Sequence, residues 1–164
     1  MSETTGNGSS ASNPNRIVVG VDGSDYSTGA LRLAGRLAAA LGAPLEAVTC
    51  WSPLDSYAAA DLPVGSFPEK GQLEDEAKRL VVQAAERAFG TNPPARMDIT
   101  VRYGPTAKIL VEESRTAQML VVGRRGRGGF LGQVMGSVSS VCSAHAHCPV
   151  VVVGEDAEDG APAH

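Results

Sequence analysis

Short apolar segments and longer segments of helical period alternate along the chain. Five segments are short, apolar and rich in β-branched residues, which is typical of strands in a parallel sheet covered on both faces. They span 16–22, 45–51, 98–102, 119–123 and 150–153. Four other segments repeat apolar residues every three or four positions, which predicts amphipathic helices. Their apolar stripes are Ala30–Leu41, Leu73–Ala88, Ala107–Ser114 and Val138–His145.

The order of these segments predicts the fold class. Strands and helices alternate strictly, which implies right-handed crossovers and a parallel sheet with helices on both faces. Five strands in roughly 140 residues is the size of a doubly wound α/β domain, and such domains bind ligands beyond the carboxyl ends of their strands. We therefore expect a single α/β domain over 15–154, with its binding residues in the loops that follow the strands.

Two ends and two connections depart from this pattern. Residues 1–14 are rich in Ser, Asn, Thr and Gly, and residues 155–164 are biased toward acidic side chains, so we expect two disordered tails. The connection 52–71 is longer than most strand-to-helix loops and is compatible with a lid, an interface loop or a plain insertion, of which we favour the insertion. The connection 123–136 is rich in glycine and carries more information.

Composition and charge exclude several classes of function. The 164 residues have a formal net charge of -4 and only 4% aromatic residues, which argues against a nucleic-acid-binding surface. No apolar run approaches the ~20 residues that a transmembrane helix needs, and the polar start has no signal-peptide pattern. We therefore expect a cytoplasmic protein that binds neither nucleic acid nor membrane. Three cysteines, an odd number, argue against a disulfide framework.

The glycine-rich connection has the features of a phosphate-binding loop. It contains Gly123, Gly126 and Gly136, and it enters the fourth helix at Ser137. Glycine lets backbone amides approach a phosphate closely, and the N–H groups and dipole at a helix start attract anions. Ser137 and Ser139 add hydroxyl donors. The same pattern is equally compatible with a flexible loop that ends in Ser137 as an ordinary N-cap.

Several alternative motifs are missing from the sequence. There is no Gly-x-x-x-x-Gly-Lys-Ser/Thr loop, no Gly-x-Gly-x-x-Gly turn after the first strand, and no nucleophile elbow. Cys142, His145, His147 and Cys148 are potential zinc ligands, but their spacing across a helix end and a proline-bounded turn does not favour convergence on one metal. We assign no catalytic residue and no metal-binding residue.

Together with its flanking strands, the glycine-rich connection resembles a known family. The pattern Gly-x2-Gly-x9-Gly-Ser over 123–137 is similar to the nucleotide signature of ATP-binding universal stress proteins. The segments 17–24, 47–51 and 147–153 resemble the first, second and last strands of that family. The resemblance covers 16–154, with its four segments in the right order.

This resemblance implies a fold, a ligand and a set of binding residues. The implied fold is a five-stranded sheet of order 3-2-1-4-5, similar to that of adenine nucleotide alpha hydrolases. The implied ligand is ATP with Mg²⁺, bound in a regulatory stress response with slow or no hydrolysis. A nucleotide hydrolase and a cyclic-AMP-binding protein on the same scaffold are the alternatives. The implied binding residues are Gly20, Val21, Asp22, Cys50, Gly123, Arg124, Gly126, Gly136, Ser137, Val138 and Ser139.

Asp22, Cys50 and the arginines have alternative roles to weigh against the implied ones. Asp22 is expected beside the ribose and phosphates, where it would accept a hydroxyl or hold a bridging metal, or else it caps the first helix. The main chain at Cys50 is expected to contact the adenine. Arg124, Arg125 and Arg127 either screen the triphosphate or form a solvated surface run, which we expect for at least two of them.

The last strand, Val150–Val153, is the expected site of self-association. An apolar edge strand invites pairing with a second copy, and members of the resembled family commonly dimerise there. We therefore expect a homodimer. A nucleotide-free interaction module is a further alternative, but the intact glycine signature argues against it.

Overall fold

The structure is a computed structural model that describes residues 13–52, 69–126 and 135–154. The expected tails, apart from 13 and 14, lie outside this part of the chain, as do 53–68 and 127–134 of the two long connections. The elements are β1 (Ile17–Gly20), α1 (Asp25–Leu41), β2 (Leu45–Trp51), α2 (Lys70–Phe89), β3 (Met97–Tyr103), α3 (Thr106–Glu113), a 3-10 turn (Ser114–Thr116), β4 (Met119–Gly123), α4 (Ser137–His145) and β5 (Val150–Val153).

The five strands form one parallel sheet of order β3-β2-β1-β4-β5, as predicted. In the centre of the sheet Val18 of β1 pairs with Glu46 of β2 on one side and with Leu120 of β4 on the other. The chain builds outward from β1 in one direction and then returns to build outward from it in the other. A crevice therefore opens beyond the carboxyl ends of β1 and β4, which is where doubly wound sheets bind ligands.

Two apolar layers cover the sheet, which explains why the strands read as nearly continuous apolar runs. Ile17 and Val19 of β1 belong to the layer under α1 and α2. Val18 points to the opposite face and belongs with Leu110 and Cys142 to the layer under α3 and α4. Successive side chains of a strand alternate between faces, so a strand that is covered on both faces needs an apolar residue at almost every position.

The ends of α1 follow local sequence signals, but its buried face is broader than its apolar stripe. Gly42 ends the helix in the left-handed conformation, with φ of 61°, as its place after the stripe predicts. The apolar stripe of α1 consists of Ala30, Leu33, Ala34, Leu37, Ala38 and Leu41. Leu41 is 53% exposed, whereas Leu31, which is not part of this repeat, is fully buried. The reason is that α1 packs between the sheet and α2, which together cover more than one stripe of side chains.

Within 13–52, 69–126 and 135–154, no helix combines the length and the apolarity that a bilayer crossing requires.

Candidate functional site

The turn between β1 and α1 fixes the carboxylate of Asp22. Its Oδ1 accepts hydrogen bonds from the backbone N–H of Ser24 at 2.9 Å and from the Ser24 hydroxyl at 2.5 Å. The Ser24 hydroxyl oxygen in turn accepts from the N–H of Ser27 and caps α1. Ser24 is therefore the N-cap, and Asp22 lies before the helix with its carboxylate held at the mouth of the crevice. Gly23 allows this turn because its φ is 82°.

The first part of the glycine-rich connection lies against this carboxylate. A Cβ atom built on Gly126 would be 2.4 Å from Oδ2 of Asp22. Any side chain at this position would have to displace the carboxylate, so the close approach requires glycine. The end of β1 and the glycine signature, which are about a hundred residues apart in the sequence, thus meet at one point.

The second part of the connection returns to the same place. Gly136 donates its N–H to the carbonyl of Arg124 at 2.8 Å, and a Cβ on Gly136 would be 3.4 Å from both the Arg124 oxygen and Cα of Arg125. Gly136 is also the N-cap of α4 and, unlike Ser24 at α1, it has no side chain to cap the helix. The amides of the first turn of α4 therefore begin beside the exit of β4 and close to Asp22.

Ser139 has a different hydroxyl partner from the one the sequence predicts. Its side chain is buried, and its Oγ donates to the Arg124 carbonyl at 2.7 Å, with the Gly136 carbonyl at 3.1 Å. Its one proton is engaged inside the protein in this structure, and the place of Ser139 in the phosphate-binding set stays a prediction. Ser137 and Val138 lie in the first turn of α4, and the side chain of Ser137 is exposed.

Two further glycines of the predicted set are explained by packing. A Cβ on Gly123 would lie 2.8 Å from the carbonyl carbon and from Cβ of Tyr26, so the end of β4 needs glycine where α1 passes over it. A Cβ on Gly20 would lie 2.8 Å from Cδ1 of Leu110 in α3. Neither contact rules out a nucleotide near these backbones, but each accounts for the glycine without one.

The end of β2 directs backbone groups toward the crevice at Cys50. The last hydrogen bond between β1 and β2 runs from the N–H of Val21 to the carbonyl of Val48 at 2.9 Å, and Trp51 accepts on the other side, from Gly104 after β3. Because alternate residues of a strand direct their backbone groups to the same neighbour, those of Cys50 point to the β1 side. The β1–β2 pairing ends at Gly20 and Val48, so Cys50 lies beyond it, at the crevice.

Arg124 and Arg125 are half-buried, which differs from the expected solvated run. Their Nε atoms are buried and have no hydrogen-bond partner among the described residues. Arg124 directs a guanidinium nitrogen, Nη1, to within 3.9 Å of the position of a Cβ on Gly154, so its side chain extends toward the end of β5. The expectation of at least two solvated arginines is wrong for this pair, because Arg124 and Arg125 lie beside Gly136 at the start of α4. Arg127 falls in a segment that the structure does not describe.

The structure therefore brings part of the predicted set together. Asp22, Gly126, Gly136 and the backbone of Arg124 converge at one point, and the first turn of α4 starts from it. Sequence reasoning did not assign the orienting role of Ser24, although the spacing Asp-Gly-Ser before a helix was a usable signal for it. No cluster of three or more His, Cys, Asp or Glu side chains suited to a metal occurs among the described residues.

Comparisons with known proteins identify the family of this chain. The sequence profile of the universal stress protein family matches residues 14–154. A universal stress protein of Mycobacterium tuberculosis is 36% identical over 147 residues, which are 85% of this chain and 48% of that protein. The chain thus spans about half the length of the curated relatives it matches.

Solved structures share the fold. A universal stress protein in complex with cAMP has a TM-score of 0.63 and 24% identity, over 85% of this chain and 96% of that one. A universal stress protein from Archaeoglobus fulgidus in complex with dAMP has a TM-score of 0.57 and 23% identity, over 85% and 97% of the two chains. The family profile, the strand order and the converging glycine signature lead to one conclusion: this chain belongs to the universal stress protein family.

Proposed function

We propose that this protein binds an adenine nucleotide, ATP, in the crevice between the β1–α1 turn and the glycine-rich connection. The observation that carries the proposal is the contact between the Asp22 carboxylate and Gly126. It places a group that can bind ribose hydroxyls or a metal against Gly126, an exposed residue whose lack of a side chain would let a phosphate approach its backbone. The adenine would lie against the main chain at Cys50, and the ribose near Asp22, Gly123 and Gly126.

The phosphates would be bound at the start of α4. Helix amides and the helix dipole favour an anion there, and Gly136 leaves these amides accessible because it carries no side chain. Ser137 would add a hydroxyl, and Val138 and Ser139 would contribute only their amides. Gly20 and Val21 would line the floor of the crevice, and Arg124 would lower the cost of bringing a polyanion close to Asp22.

Mg²⁺ fits this site as a companion of the nucleotide rather than as a resident ion. Asp22 supplies the carboxylate oxygen that Mg²⁺ prefers, and Mg²⁺ is usually bound by one or two carboxylates together with substrate phosphates. When bound, the ion would neutralise phosphate charge. Oδ2 of Asp22, the oxygen that faces Gly126, is the atom of this chain that would hold it.

Family membership supports a regulatory role in the stress response within a single domain over 15–154, with slow or no ATP hydrolysis. Two structural relatives are described as complexes with cAMP and dAMP, which supports adenine as the base. The cAMP complex also makes a cyclic nucleotide the second candidate ligand for this chain. A cytoplasmic location is part of the same proposal.

Isothermal titration of the full chain with ATP, AMP and cAMP, each with and without Mg²⁺, tests the proposal. We expect one site per chain, with ATP binding strengthened by Mg²⁺. Tighter binding of cAMP than of ATP would favour the second candidate. No binding of any of the three nucleotides at millimolar concentration would overturn the proposal, and a turnover well above ~1 s⁻¹ would favour the hydrolase alternative.

The substitution Asp22→Asn tests the residue that carries the proposal. Asparagine retains an oxygen that can accept the Ser24 hydrogen bonds but removes the charge, so the turn should persist. We expect ATP binding with Mg²⁺ to weaken about tenfold or more, as for a lost charged contact. The matched control is Asp25→Asn, three residues later, whose side chain is 98% exposed. Equal affinities in the two variants would contradict the role of Asp22.

We also propose that the chain forms a homodimer through β5. This strand is an edge of the sheet, and all four of its residues, Val150–Val153, are valines. The carbonyls of Pro149 and Val153 accept hydrogen bonds from the β4 side. Alternation therefore directs the backbone groups of Val150 and Val152 outward, where a second copy could pair with them.

Sedimentation measures the oligomeric state of the protein from micromolar to high concentration and so tests whether this dimer forms. The informative substitution is Val152→Pro, which removes an outward N–H while leaving the hydrogen bonds to β4 in place. We expect the wild type to sediment as a dimer and Val152→Pro as a folded monomer. A wild-type monomer at all concentrations, or a Val152→Pro dimer, would contradict pairing through β5.

A further inference from the structure

The candidate site contains a buried polar side chain, that of Ser139, whose hydroxyl bonds to carbonyls of the protein. Its residue is 1% exposed, and its hydroxyl donates to the carbonyl of Arg124 at 2.7 Å, with the Gly136 carbonyl at 3.1 Å as a second acceptor. The hydroxyl points away from solvent, into the junction between the exit of β4 and the start of α4. A serine is costly to bury unless its hydroxyl is hydrogen-bonded, so this position is specified by its partners.

The Arg124 carbonyl receives two donors at once. The second donor is the N–H of Gly136 at 2.8 Å. We call this pair of hydrogen bonds the loop latch. The Ser139 hydroxyl and the Gly136 N–H are its donors, and the Arg124 carbonyl oxygen is its acceptor. The loop latch ties residue 124 to residue 136 and so fixes both ends of the glycine-rich connection.

We propose that Ser139 is a positioning residue through its hydroxyl, which aims the first amides of α4 at a nucleotide phosphate without itself touching the ligand. This inference rests on the proposed function. The N-cap Gly136 lacks a side chain, so the direction of the next two amides, at Ser137 and Val138, depends on where the backbone of Gly136 is anchored. Binding groups that are held in place before the ligand arrives lose less entropy on binding.

The test compares Ser139→Ala with Ser140→Ala, the same substitution at the next, exposed residue of α4. Isothermal titration measures ATP and adenosine, which differ only in the phosphates. We expect Ser139→Ala to weaken ATP binding about threefold to tenfold, the range for one hydrogen bond, and to change adenosine binding by less than about twofold. Ser140→Ala should bind both ligands like the wild type.

The selectivity for ATP over adenosine is the decisive quantity. A general loosening of the fold would weaken both ligands, whereas a misdirected phosphate cradle weakens ATP alone. Wild-type affinity for ATP in Ser139→Ala, or an equal loss for both ligands, would overturn the role of Ser139 while leaving the proposed function intact.

Amide hydrogen exchange in the ligand-free wild type separates this inference from the proposed function and does not need the variant to fold. The loop latch predicts slower exchange at the Gly136 amide than at Ser137 and Val138. Equal exchange at the three amides would overturn the loop latch. A wild type that binds no nucleotide but shows the slow Gly136 amide would refute the proposed function and the positioning role together, and would leave the latch as a structural tie.

Discussion

At the scale of single residues, the candidate site depends on how closely one glycine approaches one carboxylate. The Asp22 side chain has limited freedom to move away from Gly126, because its other oxygen is held by two donors from Ser24. The turn therefore converts an ordinary aspartate into a fixed group at the mouth of the crevice. This constraint makes the effect of small substitutions there predictable.

Gly126→Ala should weaken nucleotide binding about tenfold while changing the free energy of unfolding by less than about 1 kcal/mol. The added methyl group would meet Asp22 Oδ2 and displace the carboxylate, but Gly126 itself is exposed. Gly71→Ala is the matched control, because a Cβ there meets no atom of the described residues within 4 Å. Isothermal titration and urea unfolding measure the two effects. Unchanged binding by Gly126→Ala would show that the position of Asp22 is unimportant.

Burial makes Cys142 an unreactive thiol. Its side chain lies in the apolar layer under α3 and α4, and burial raises its pKa from 9.0 to about 11. Because the thiolate is the reactive form, we expect iodoacetamide to alkylate Cys142 more slowly than either of the other two cysteines in native protein at pH 8. In denaturant the three rates should converge. Mass spectrometry of a time course measures them, and fast native labelling of Cys142 would contradict its burial.

At the scale of secondary-structure elements, the crossing of β4 and α1 decides where the glycine-rich connection begins. Gly123 ends β4 directly against the backbone of Tyr26 in the first turn of α1. The first turn of α1 comes shortly after Asp22. The contact between Gly123 and Tyr26 therefore joins the β1–α1 turn, which holds Asp22, to the start of the glycine-rich connection. A change in this contact should alter both stability and binding.

Gly123→Ala should lower the free energy of unfolding by about 1–3 kcal/mol, the usual cost of overpacking. The new Cβ would lie 2.8 Å from backbone and Cβ atoms of Tyr26, which cannot rotate away. The control is Gly29→Ala within α1, where the nearest atom is a Val153 methyl at 3.8 Å. This control should be neutral or stabilising by up to about 1 kcal/mol, because alanine favours helix over glycine. Urea unfolding that ranks the two variants in the reverse order would contradict the packing argument.

At the scale of the whole molecule, Arg16 joins elements from both halves of the chain at the end of the sheet opposite the crevice. Its guanidinium pairs with Glu46 of β2 and with Glu113 of α3, and it also bonds Thr116 of the 3-10 turn at 3.2 Å. Its side chain is 6% exposed. Thr100 of β3 donates to Glu46 as well, which extends the network to an edge strand.

Arg16→Met should lower the free energy of unfolding by about 3 kcal/mol, because the largely buried Glu46 would lose its cation and Glu113 would keep only its pair with Arg102. Arg115→Met is the matched control. Arg115 pairs with Glu112 on the surface, and such exposed pairs contribute about 0–1 kcal/mol. Chemical unfolding in urea compares the two variants. A loss in Arg16→Met as small as that in Arg115→Met would mean that the network contributes no net stability.

The sequence by itself was sufficient to predict the fold and to indicate the family. Five apolar β-branched runs and four helical stripes are local patterns, and local hydrogen bonding and burial set the period of each, so the alternation of elements could be predicted. Gly42 was predictable as the end of α1 for the same reason, because only its own backbone conformation is needed. The spacing of the glycine signature, with its flanking strands, was enough to indicate the family.

The distribution of roles among the site residues was decided only by the tertiary structure. The pattern assigned the Ser139 hydroxyl to the phosphates and at least two of Arg124, Arg125 and Arg127 to the surface. In the structure the Ser139 hydroxyl donates to the Arg124 carbonyl, and Arg124 and Arg125 are half-buried. Likewise, a side chain at Gly123 would clash with Tyr26, and a side chain at Gly126 would clash with Asp22. These partners are distant in the sequence. The physical reason is that contacts across a fold depend on where separate elements cross, and no local periodicity records that.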